Sequence, residues 1–268
     1  MSGAPDEIAD AYNRALADEK AGRISDAIDG YRFVLERDPS DQGGAILRLA
    51  GLGVDLGPQK APDAYVATLF DQQAKTFDET LVEDLGYGVP LLMRSWLDRH
   101  HPGRFEALLD LGCGTGLVGI SLADLAEFVV GVDLAEGMLA EAHQRQAYHE
   151  LYEAEAVEFL EALEPEGFDI ITAADVMPYI GNVEPFMSAA ATALCSNGIL
   201  LVSTEALLED ADRDYRVGAT QRFQHRLGYI ESVATKASLQ PLASEEIVVR
   251  YEVGNPVPGH LIGFRKTG

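Results

Sequence analysis

The chain of 268 residues is poor in cysteine and in long apolar runs. Its two cysteines, Cys113 and Cys195, are too few for a disulfide framework, so we expect reduced thiols and a cytoplasmic location. Residues 1–10 have neither a basic segment nor an apolar core, and no apolar run approaches ~18 residues. No signal peptide and no membrane span are therefore predicted.

Basic side chains are also scarce, because 20 Lys and Arg stand against 44 Asp and Glu, which gives a net charge of −24. An acidic surface repels phosphate backbones and anionic lipid, so we expect neither nucleic acid nor a membrane as partner. No cysteine and histidine cluster has the spacing of metal ligands, so no metal is predicted. A hydrophobic content of 47% is enough for a sizeable core.

Residues 7–52 predict three helices by the spacing of their apolar positions. The small, aromatic and proline positions resemble those of a tetratricopeptide repeat, at Gly22, Ala27, Tyr31 and Pro39. One repeat cannot bury its own face, so this segment must pack on something else. It is either a structural appendage or dimer contact, or a docking surface for a protein partner. Residues 57–62 then predict a linker.

Further helices are predicted at residues 64–76, 79–85 and 89–100, and from residue 107 short apolar runs alternate with amphipathic helices. This alternation predicts a doubly wound parallel sheet. Its buried strands are expected at residues 107–111, 128–132, 168–173 and 199–203. An antiparallel pair at residues 246–252 and 260–266 is expected to close the edge of the sheet.

The most informative segment is the glycine loop, Leu109-Asp110-Leu111-Gly112-Cys113-Gly114-Thr115-Gly116. A buried strand that turns through glycines into a helix offers free backbone N–H groups and a partial positive charge. The glycines have no side chains to keep a ligand off that backbone. Asp133 ends the next predicted strand, where a carboxylate can accept from both hydroxyls of a ribose. The sequence therefore predicts a nucleotide-like cofactor.

Two cofactor classes compete for this loop. The pattern Gly114-x-Gly116-x-x-Gly119 satisfies the dinucleotide fingerprint, which makes an NAD(P)-dependent oxidoreductase one candidate. A carboxylate at Asp110 opposes the charge of a pyrophosphate. It suits S-adenosylmethionine, which has no phosphate and carries an ammonium group.

Residues 107–203 resemble a class I S-adenosylmethionine-dependent methyltransferase in five consecutive motifs. They are the glycine loop, GVDLAEGML at 131–139, YEAEAVEFL at 152–160, FDIITAAD at 168–175 and LCSNGILL at 194–201. The resemblance implies an α/β fold with a seven-stranded, mostly parallel, Rossmann-like sheet. It also implies a tetratricopeptide-like helical segment in residues 1–57, a helical lid in 63–101 and the S-adenosylmethionine-binding domain in 102–268.

The lid segment, residues 70–78 and 85–90, resembles that of methyltransferases with a tetratricopeptide-like N-terminus. In the wider class this segment often supplies a tyrosine hydroxyl to the cofactor, but the aromatic positions here are Phe70 and Phe77. We therefore expect an apolar cover in place of a hydroxyl contact. The alternative is that both rings belong to the core.

The resemblance also implies a set of cofactor-binding residues: Asp110, Gly112, Cys113, Gly114, Gly116, Asp133, Leu134, Met138, Glu155, Ala156, Ala173 and Asp175. Asp110 would orient the loop or the ammonium group, and Asp133 would bind the ribose hydroxyls. Glu155 would meet the adenine edge. Asp175 would border the methyl group, unless it is a helix cap.

On the acceptor side, residues 222–229 resemble the acceptor helix of the same subgroup. The catalytic candidates are His225, Tyr229 and Asp175, and the candidates that line the acceptor pocket are Tyr179 and Arg222. Histidine is the side chain that ordinarily titrates nearest neutrality, so His225 is a candidate for a general base. The alternative is that His225 is an ordinary polar residue.

The predicted reaction is an in-line methyl transfer to a small molecule, with a protein acceptor as the alternative, and the class has no fixed catalytic residue. Arg222 would suit an acceptor with a carboxylate or phosphate. The remaining alternative is a non-enzymatic S-adenosylmethionine-binding protein that uses the N-terminal helices for interaction.

Overall fold

The computed structural model describes residues 5–54, 57–79, 85–208 and 213–267. Three helices come first, α1 (Pro5–Lys20), α2 (Ile24–Arg37) and α3 (Ala45–Gly51). The three helices predicted from apolar spacing are confirmed. They enclose a small core that consists of Ala11, Ala15, Ala27, Tyr31, Val34, Ala45 and Leu49.

Helix α3 contacts two different parts of the molecule. Its Ala45 and Leu49 side chains pack on α1 and α2, whereas Leu47 packs with Val217 and Phe223 from the C-terminal half of the chain. The Asp41 carboxylate accepts hydrogen bonds from the backbone N–H groups of Ala45 (2.6 Å) and Ile46 (2.9 Å), and so fixes the start of α3. The N-terminal helices are therefore packed against the remainder of the fold.

Two helices precede the sheet, α4 (Asp63–Gln73), which continues as a 3₁₀ turn over Ala74–Thr76, and α5 (Val89–His100). Both agree with the sequence prediction, and most of the helix predicted at 79–85 lies outside the described residues. Within the described ranges, no helix combines the length and the apolar character needed to cross a bilayer.

The remaining chain alternates strands with helices. The strands are β1 (Phe105–Leu111), β2 (Ala126–Asp133), β3 (Glu150–Glu153), β4 (Phe168–Ala173), β5 (Leu194–Ala206), β6 (Tyr215–Val217), β7 (Phe223–His225), β8 (Leu239–Glu252) and β9 (Asn255–Lys266). The helices are α6 (Leu117–Leu122), α7 (Glu136–Gln144), α8 (Ala156–Ala162), α9 (Glu184–Ala193) and α10 (Leu227–Lys236).

The strands form one mixed sheet of nine strands within the described residues. Strands β3, β2, β1, β4 and β5 are parallel neighbours in that order, and β9 and β8 continue the sheet in antiparallel pairing. The predicted terminal hairpin is confirmed. The predicted count of seven strands is wrong, because β7 pairs with the last residues of β5, and β6 pairs with β7.

The two additional strands escape prediction because three residues are too few to show an alternating pattern. Their presence also corrects the interpretation of residues 222–229 as a helix. Residues 223–225 are the strand β7, and α10 begins only at Leu227.

The parallel strands are apolar because both faces of the sheet are covered. On one face Leu109 and Leu111 of β1 join a core with Phe186 and Ile230 from α9 and α10. On the other face Leu108 joins Trp96 of α5. The carboxyl ends of β1, β2 and β4 remain uncovered by these helices, and in open α/β sheets ligands bind at this edge.

The packing of β9 on α5 gives a stability prediction. A Cβ atom at Gly263 would overlap the fully buried ring of Trp96. We expect Gly263→Ala to lower the free energy of unfolding by about 1–3 kcal/mol, the usual cost of overpacking a core. Urea unfolding followed by circular dichroism measures this change.

The matched control is Gly103→Ala, because a Cβ atom there meets nothing within 4 Å. Its effect should stay within about 0.5 kcal/mol. Equal effects of the two substitutions would contradict the packing described here.

Candidate functional site

A cavity of about 440 Å³ lies at the carboxyl ends of β1, β2 and β4. This volume is typical of small-molecule sites, which span about 300–1,000 Å³. The cavity wall contains ten of the residues that the sequence proposes: Gly112, Cys113, Gly114, Asp133, Leu134, Glu155, Ala156, Asp175, Tyr179 and Arg222. The opposite wall includes Phe70 and Phe77 from the lid segment.

The three glycines of the loop have positive φ angles, but their surroundings differ. Gly112, Gly114 and Gly116 have φ of +63°, +54° and +94°, which other residues rarely adopt. A Cβ atom at Gly112 would meet Val176 at 2.5 Å, and one at Gly116 would meet the Tyr148 ring at 3.1 Å. Only at Gly114 is the space open, so this glycine, and not all three, leaves room for a ligand.

The Asp133 carboxylate is fixed by the backbone on both sides. It accepts hydrogen bonds from Gly114 N–H (2.8 Å) and Ala135 N–H (2.9 Å). Burial raises the pKa of this carboxyl group, while these hydrogen bonds to the charged form act against the rise. Asp133 lines the cavity, so its remaining lone pairs are available to two neighbouring hydroxyl groups of a ligand.

Asp110 faces the core, away from the cavity wall. It is fully buried and accepts hydrogen bonds from Tyr148 Oη (2.7 Å) and Thr172 Oγ1 (2.9 Å). The same tyrosine oxygen accepts from Gly119 N–H (3.2 Å), which ties the start of α6 to β1. Of the two roles predicted for Asp110, these contacts fit the orientation of the loop and not a contact with the ammonium group.

Glu155 caps a helix while it lines the cavity. Its Oε2 atom accepts from the backbone N–H groups of Val157 and Glu158, both at 2.9 Å, at the start of α8. Its Oε1 atom lies 3.8 Å from Lys60 Nζ. An adenine amine would therefore have to share a carboxylate that already accepts two backbone hydrogen bonds and lies close to a lysine.

Three further cofactor candidates lie off the cavity wall. Met138 and Ala173 are fully buried beneath it, in apolar clusters, and Gly116 packs against Tyr148. These three residues lie next to the glycine loop or the strand ends, as predicted. Neighbouring residues separate them from the cavity.

The lid aromatics pack on a small buried cluster and also line the cavity, so their role as an apolar cover stays a prediction. The Phe70 and Phe77 rings pack edge to face at 5.9 Å, rest on Met138 and also line the cavity. Asp78, the last residue of the segment 70–78, fixes this segment to the glycine loop. The Asp78 carboxylate accepts from Thr115 Oγ1 (2.6 Å) in the glycine loop and pairs with Arg145.

At the far end of the cavity, Asp175 stands in a left-handed conformation with φ of +55°. Its Oδ1 atom accepts a hydrogen bond from Ser203 Oγ (3.0 Å). Its backbone N–H donates to that serine oxygen, Ser203 Oγ (2.8 Å). Burial raises the pKa of Asp175 to about 6, against the lowering effect of nearby Arg250. The alternative of a helix cap does not apply, since the next helical turn begins at Met177 after Val176.

Arg222 and Tyr179 are neighbours on the same wall, and Arg222 Nε donates to Tyr179 Oη at 3.3 Å. Arg250 lines this wall too and donates from Nη2 to Glu205 (2.6 Å) and Glu252 (2.7 Å). Sequence reasoning missed Arg250 because only the pairing of β9 with both β5 and β8 brings it to Glu205. A lone arginine in an alternating strand indicates a solvent-facing position.

His225 and Tyr229 are corrected from catalytic candidates to supports of a loop. His225 is fully buried, its Nε2 atom lies 2.9 Å from the carbonyl oxygen of Ile180, and burial lowers its pKa to about 4. Tyr229 Oη donates to Asn182 Oδ1 (3.3 Å) and accepts from Val183 N–H (3.2 Å). Neither side chain lines the cavity, because both face the outer side of residues 179–183, here named the acceptor loop.

The predicted linker is part of the site. Residues 59–61, here named the strap, pair with the acceptor loop through an antiparallel bridge between Lys60 and Ile180. Gln59 O accepts from Gly181 N–H at 2.8 Å, and Ala61 N–H donates to Tyr179 O at 2.8 Å. The chain that leaves the N-terminal helices therefore forms one wall of the cavity.

Residues 109–200 match the family model of a methyltransferase domain. This match spans the glycine loop and the strands that follow it, from β2 into β5. A crystal structure of the 1,6-didemethyltoxoflavin-N1-methyltransferase of Burkholderia thailandensis, with bound 1,6-didemethyltoxoflavin and S-adenosylhomocysteine, superposes with a TM-score of 0.59 at 17% identity. The match covers 79% of this chain and 93% of that one, and shows that the fold is shared.

Curated relatives match part of the chain in sequence. The ubiquinone biosynthesis O-methyltransferase of Burkholderia pseudomallei is 33% identical over 113 residues, 41% of this chain and 49% of that protein. The protein of the same name from Idiomarina loihiensis is 26% identical over 178 residues, 62% of this chain and 73% of that protein. The chain thus spans about half the length of the first relative.

The cavity has groups that fit S-adenosylmethionine. The open backbone at Gly114 and the carboxylate of Asp133 suit a ribose, and the apolar Leu134 lies beside them on the wall. Asp133 would serve the ribose of either cofactor class. Asp110 faces the core and its pKa is raised to about 7 by burial, so it does not discriminate against a pyrophosphate at the loop.

The raised pKa of Asp110 predicts how stability depends on pH. Burial raises this pKa to about 7, above the ordinary value of about 3.9, so the folded protein holds the proton more tightly than the unfolded chain. The resulting stability is full below about pH 4 and is lost as the pH rises towards about 7. Asp110→Asn removes this titration. Between about pH 5 and 7.5 the free energy of unfolding should shift in favour of the variant by about 2–4 kcal/mol.

Urea unfolding of the wild-type protein and of Asp110→Asn at a series of pH values measures this difference. A difference that stays constant over the range would show that Asp110 titrates as an ordinary carboxyl group.

Proposed function

We propose that the chain is an S-adenosylmethionine-dependent methyltransferase that transfers a methyl group to a small molecule. The observation that carries this proposal is the Asp133 carboxylate, held by Gly114 N–H at the one position where the glycine loop is open. The names of the relatives, which describe methyltransferases of ubiquinone biosynthesis and of 1,6-didemethyltoxoflavin, support a small-molecule acceptor.

In this proposal the protein contributes position and environment, and the sulfonium of the bound cofactor supplies the methyl group. Asp133 binds the ribose hydroxyls, and Leu134 with Ala156 contacts the adenine. Phe70 and Phe77 exclude water from above. An in-line displacement then needs only that the acceptor atom approaches from the end of the cavity opposite the adenine, where Asp175 lies.

An NAD(P)-dependent oxidoreductase has less support. The third glycine of the dinucleotide pattern, Gly119, is explained by packing, because a Cβ atom there would meet Tyr148 Oη at 2.6 Å. A non-enzymatic role, in which the N-terminal helices only bind a partner, also has less support. The strap joins those helices to the cavity wall.

Two predictions about the N-terminal helices belong to this proposal. Residues 1–57 are a tetratricopeptide-like segment, which is supported by the small core of the helical pair around Tyr31. Residues 7–52 offer a surface for self-association or for a protein partner. A cytoplasmic location remains a prediction from the two unpaired cysteines, Cys113 and Cys195.

The cofactor assignment is tested by the binding of S-adenosylhomocysteine, measured by calorimetry. We expect Asp133→Ala to weaken binding at least tenfold, because hydrogen bonds to a charged group contribute about 1.5–3 kcal/mol each. Asp133→Asn keeps one acceptor atom and should give an intermediate loss. The control is Glu153→Ala, an exposed carboxylate at the end of the neighbouring strand β3, which should bind as the wild type does.

Thermal unfolding checks that each variant is folded. Absence of binding to the folded wild type, or wild-type affinity in folded Asp133→Ala, would contradict the proposal. Binding of NADH that S-adenosylhomocysteine does not displace would favour the oxidoreductase.

A further inference from the structure

The acceptor end of the cavity brings together one unpaired carboxylate, one unpaired hydroxyl and two arginines. These are Asp175, Tyr87, Arg222 and Arg250. Their hydrogen bonds and charges restrict what the cavity accepts beyond the cofactor, which is the question that the proposed function leaves open.

The two arginines are already neutralised from behind. Arg250 Nη2 donates to Glu205 and to Glu252, and Arg222 Nη1 donates to Glu252 at 3.1 Å. Glu205 is 1% exposed, so its charge is buried with them. Two carboxylates therefore balance two guanidinium groups, which removes the reason to expect an acceptor with a carboxylate or phosphate at Arg222.

Asp175 keeps one oxygen for a ligand. Ser203 occupies Oδ1, and no donor in the described part of the chain reaches Oδ2. No lysine or arginine of the described ranges lies within ion-pair distance of it either. The left-handed backbone at this residue is strained, and such strain is typical of side chains that the fold holds towards a functional space.

Tyr87 was missed by the sequence reasoning, which looked for a lid hydroxyl at residues 70 and 77. It lines the cavity and is 8% exposed, and its hydroxyl has no hydrogen-bond partner among the residues that the structure describes. Burial, with the nearby carboxylates of Asp175 and Asp110, raises the pKa of Tyr87 well above its ordinary value. The hydroxyl therefore stays protonated and can donate.

Apolar side chains make up much of the remaining cavity wall. Leu69, Phe70, Phe77, Pro90 and Ile180 line the same cavity. They suit a flat apolar body and provide no further hydrogen bonds from their side chains. Since Glu205 and Glu252 neutralise the two guanidinium groups, the charges that remain here are the Asp175 carboxylate and the sulfonium of a bound cofactor. These two opposite charges balance each other, which leaves no charge to pair with a charged acceptor.

We propose that the acceptor is an uncharged aromatic alcohol whose hydroxyl oxygen lies between Asp175 Oδ2 and the hydroxyl of Tyr87. This inference rests on the proposed methyl transfer and names its substrate class. Asp175 accepts the hydrogen bond of the acceptor hydroxyl, and Tyr87 donates to the same oxygen. The pair thus holds one lone pair of that oxygen in line with the methyl group.

The transfer balances with these groups alone. A bond forms between the acceptor oxygen and the methyl carbon, and the bond from that carbon to sulfur breaks with its electron pair left on sulfur. The sulfonium becomes a neutral thioether, and the hydroxyl proton passes to Asp175 Oδ2. The products are a methyl ether and S-adenosylhomocysteine.

The test uses the full chain with bound sinefungin, a stable analogue of S-adenosylmethionine that carries a positively charged amine in place of the methylsulfonium. Four matched probes are then compared. 4-Hydroxybenzamide is an uncharged phenol, 4-hydroxybenzoate is its anionic isostere, tyramine is a cationic phenol, and benzamide lacks the hydroxyl. We expect calorimetry to show that 4-hydroxybenzamide binds at least tenfold more tightly than each of the other three.

Variants separate the two polar groups. Asp175→Asn and Tyr87→Phe should each reduce the affinity for 4-hydroxybenzamide at least fivefold and leave that for benzamide unchanged. Tyr152→Phe, which removes an exposed hydroxyl bonded to Glu150 outside the cavity, should change neither.

The outcomes are distinct. Tighter binding of 4-hydroxybenzoate or of tyramine overturns the uncharged class, and equal binding of benzamide overturns recognition of the hydroxyl. If none of the four probes binds to a protein that binds S-adenosylhomocysteine, this inference is overturned and the proposed function stays intact. A protein that does not bind S-adenosylhomocysteine fails the proposed function itself.

Discussion

The site depends on one buried carboxylate, Asp133. It accepts one hydrogen bond from Gly114 in the glycine loop after β1 and another from Ala135 in the turn after β2. Gly114 N–H and Ala135 N–H would have no protein acceptor in its absence, and buried donors without a partner cost about 1–3 kcal/mol each. The carboxylate thus holds the carboxyl ends of β1 and β2 together. The same geometry leaves its free lone pairs facing the cavity.

A second consequence concerns the N-terminal helices. Leu47 of α3 packs against Phe223 of β7, and the strap residues that follow pair with the acceptor loop. On the outer side, His225 and Tyr229 hold the same loop. The acceptor loop is thus fixed from two directions by segments about 165 residues apart in sequence. The N-terminal helices contribute to the shape of the cavity, whatever else they bind.

How far the sequence predicts this molecule depends on the range of the interactions. The glycine loop, Asp133 and the buried strands follow from local patterns, because a glycine turn after an apolar strand has few alternative structures. The sequence could not decide whether His225 is a general base or an ordinary polar residue, because the residue type alone does not show whether the side chain is buried. Tyr87 and Arg250 were missed because their positions depend on the packing of the lid segment and on the pairing of β8, β9 and β5. Such long-range contacts leave no periodic trace in the sequence.

The central claim is that the cavity binds S-adenosylmethionine with its ribose at Asp133 and its sulfur towards Asp175. A crystal structure of the full chain with S-adenosylhomocysteine tests it directly. We predict that both ribose hydroxyls lie within hydrogen-bond distance of the Asp133 carboxylate and that the sulfur faces the space between Asp175 and Tyr87. A ligand seated elsewhere, or a ribose that does not contact Asp133, would contradict it.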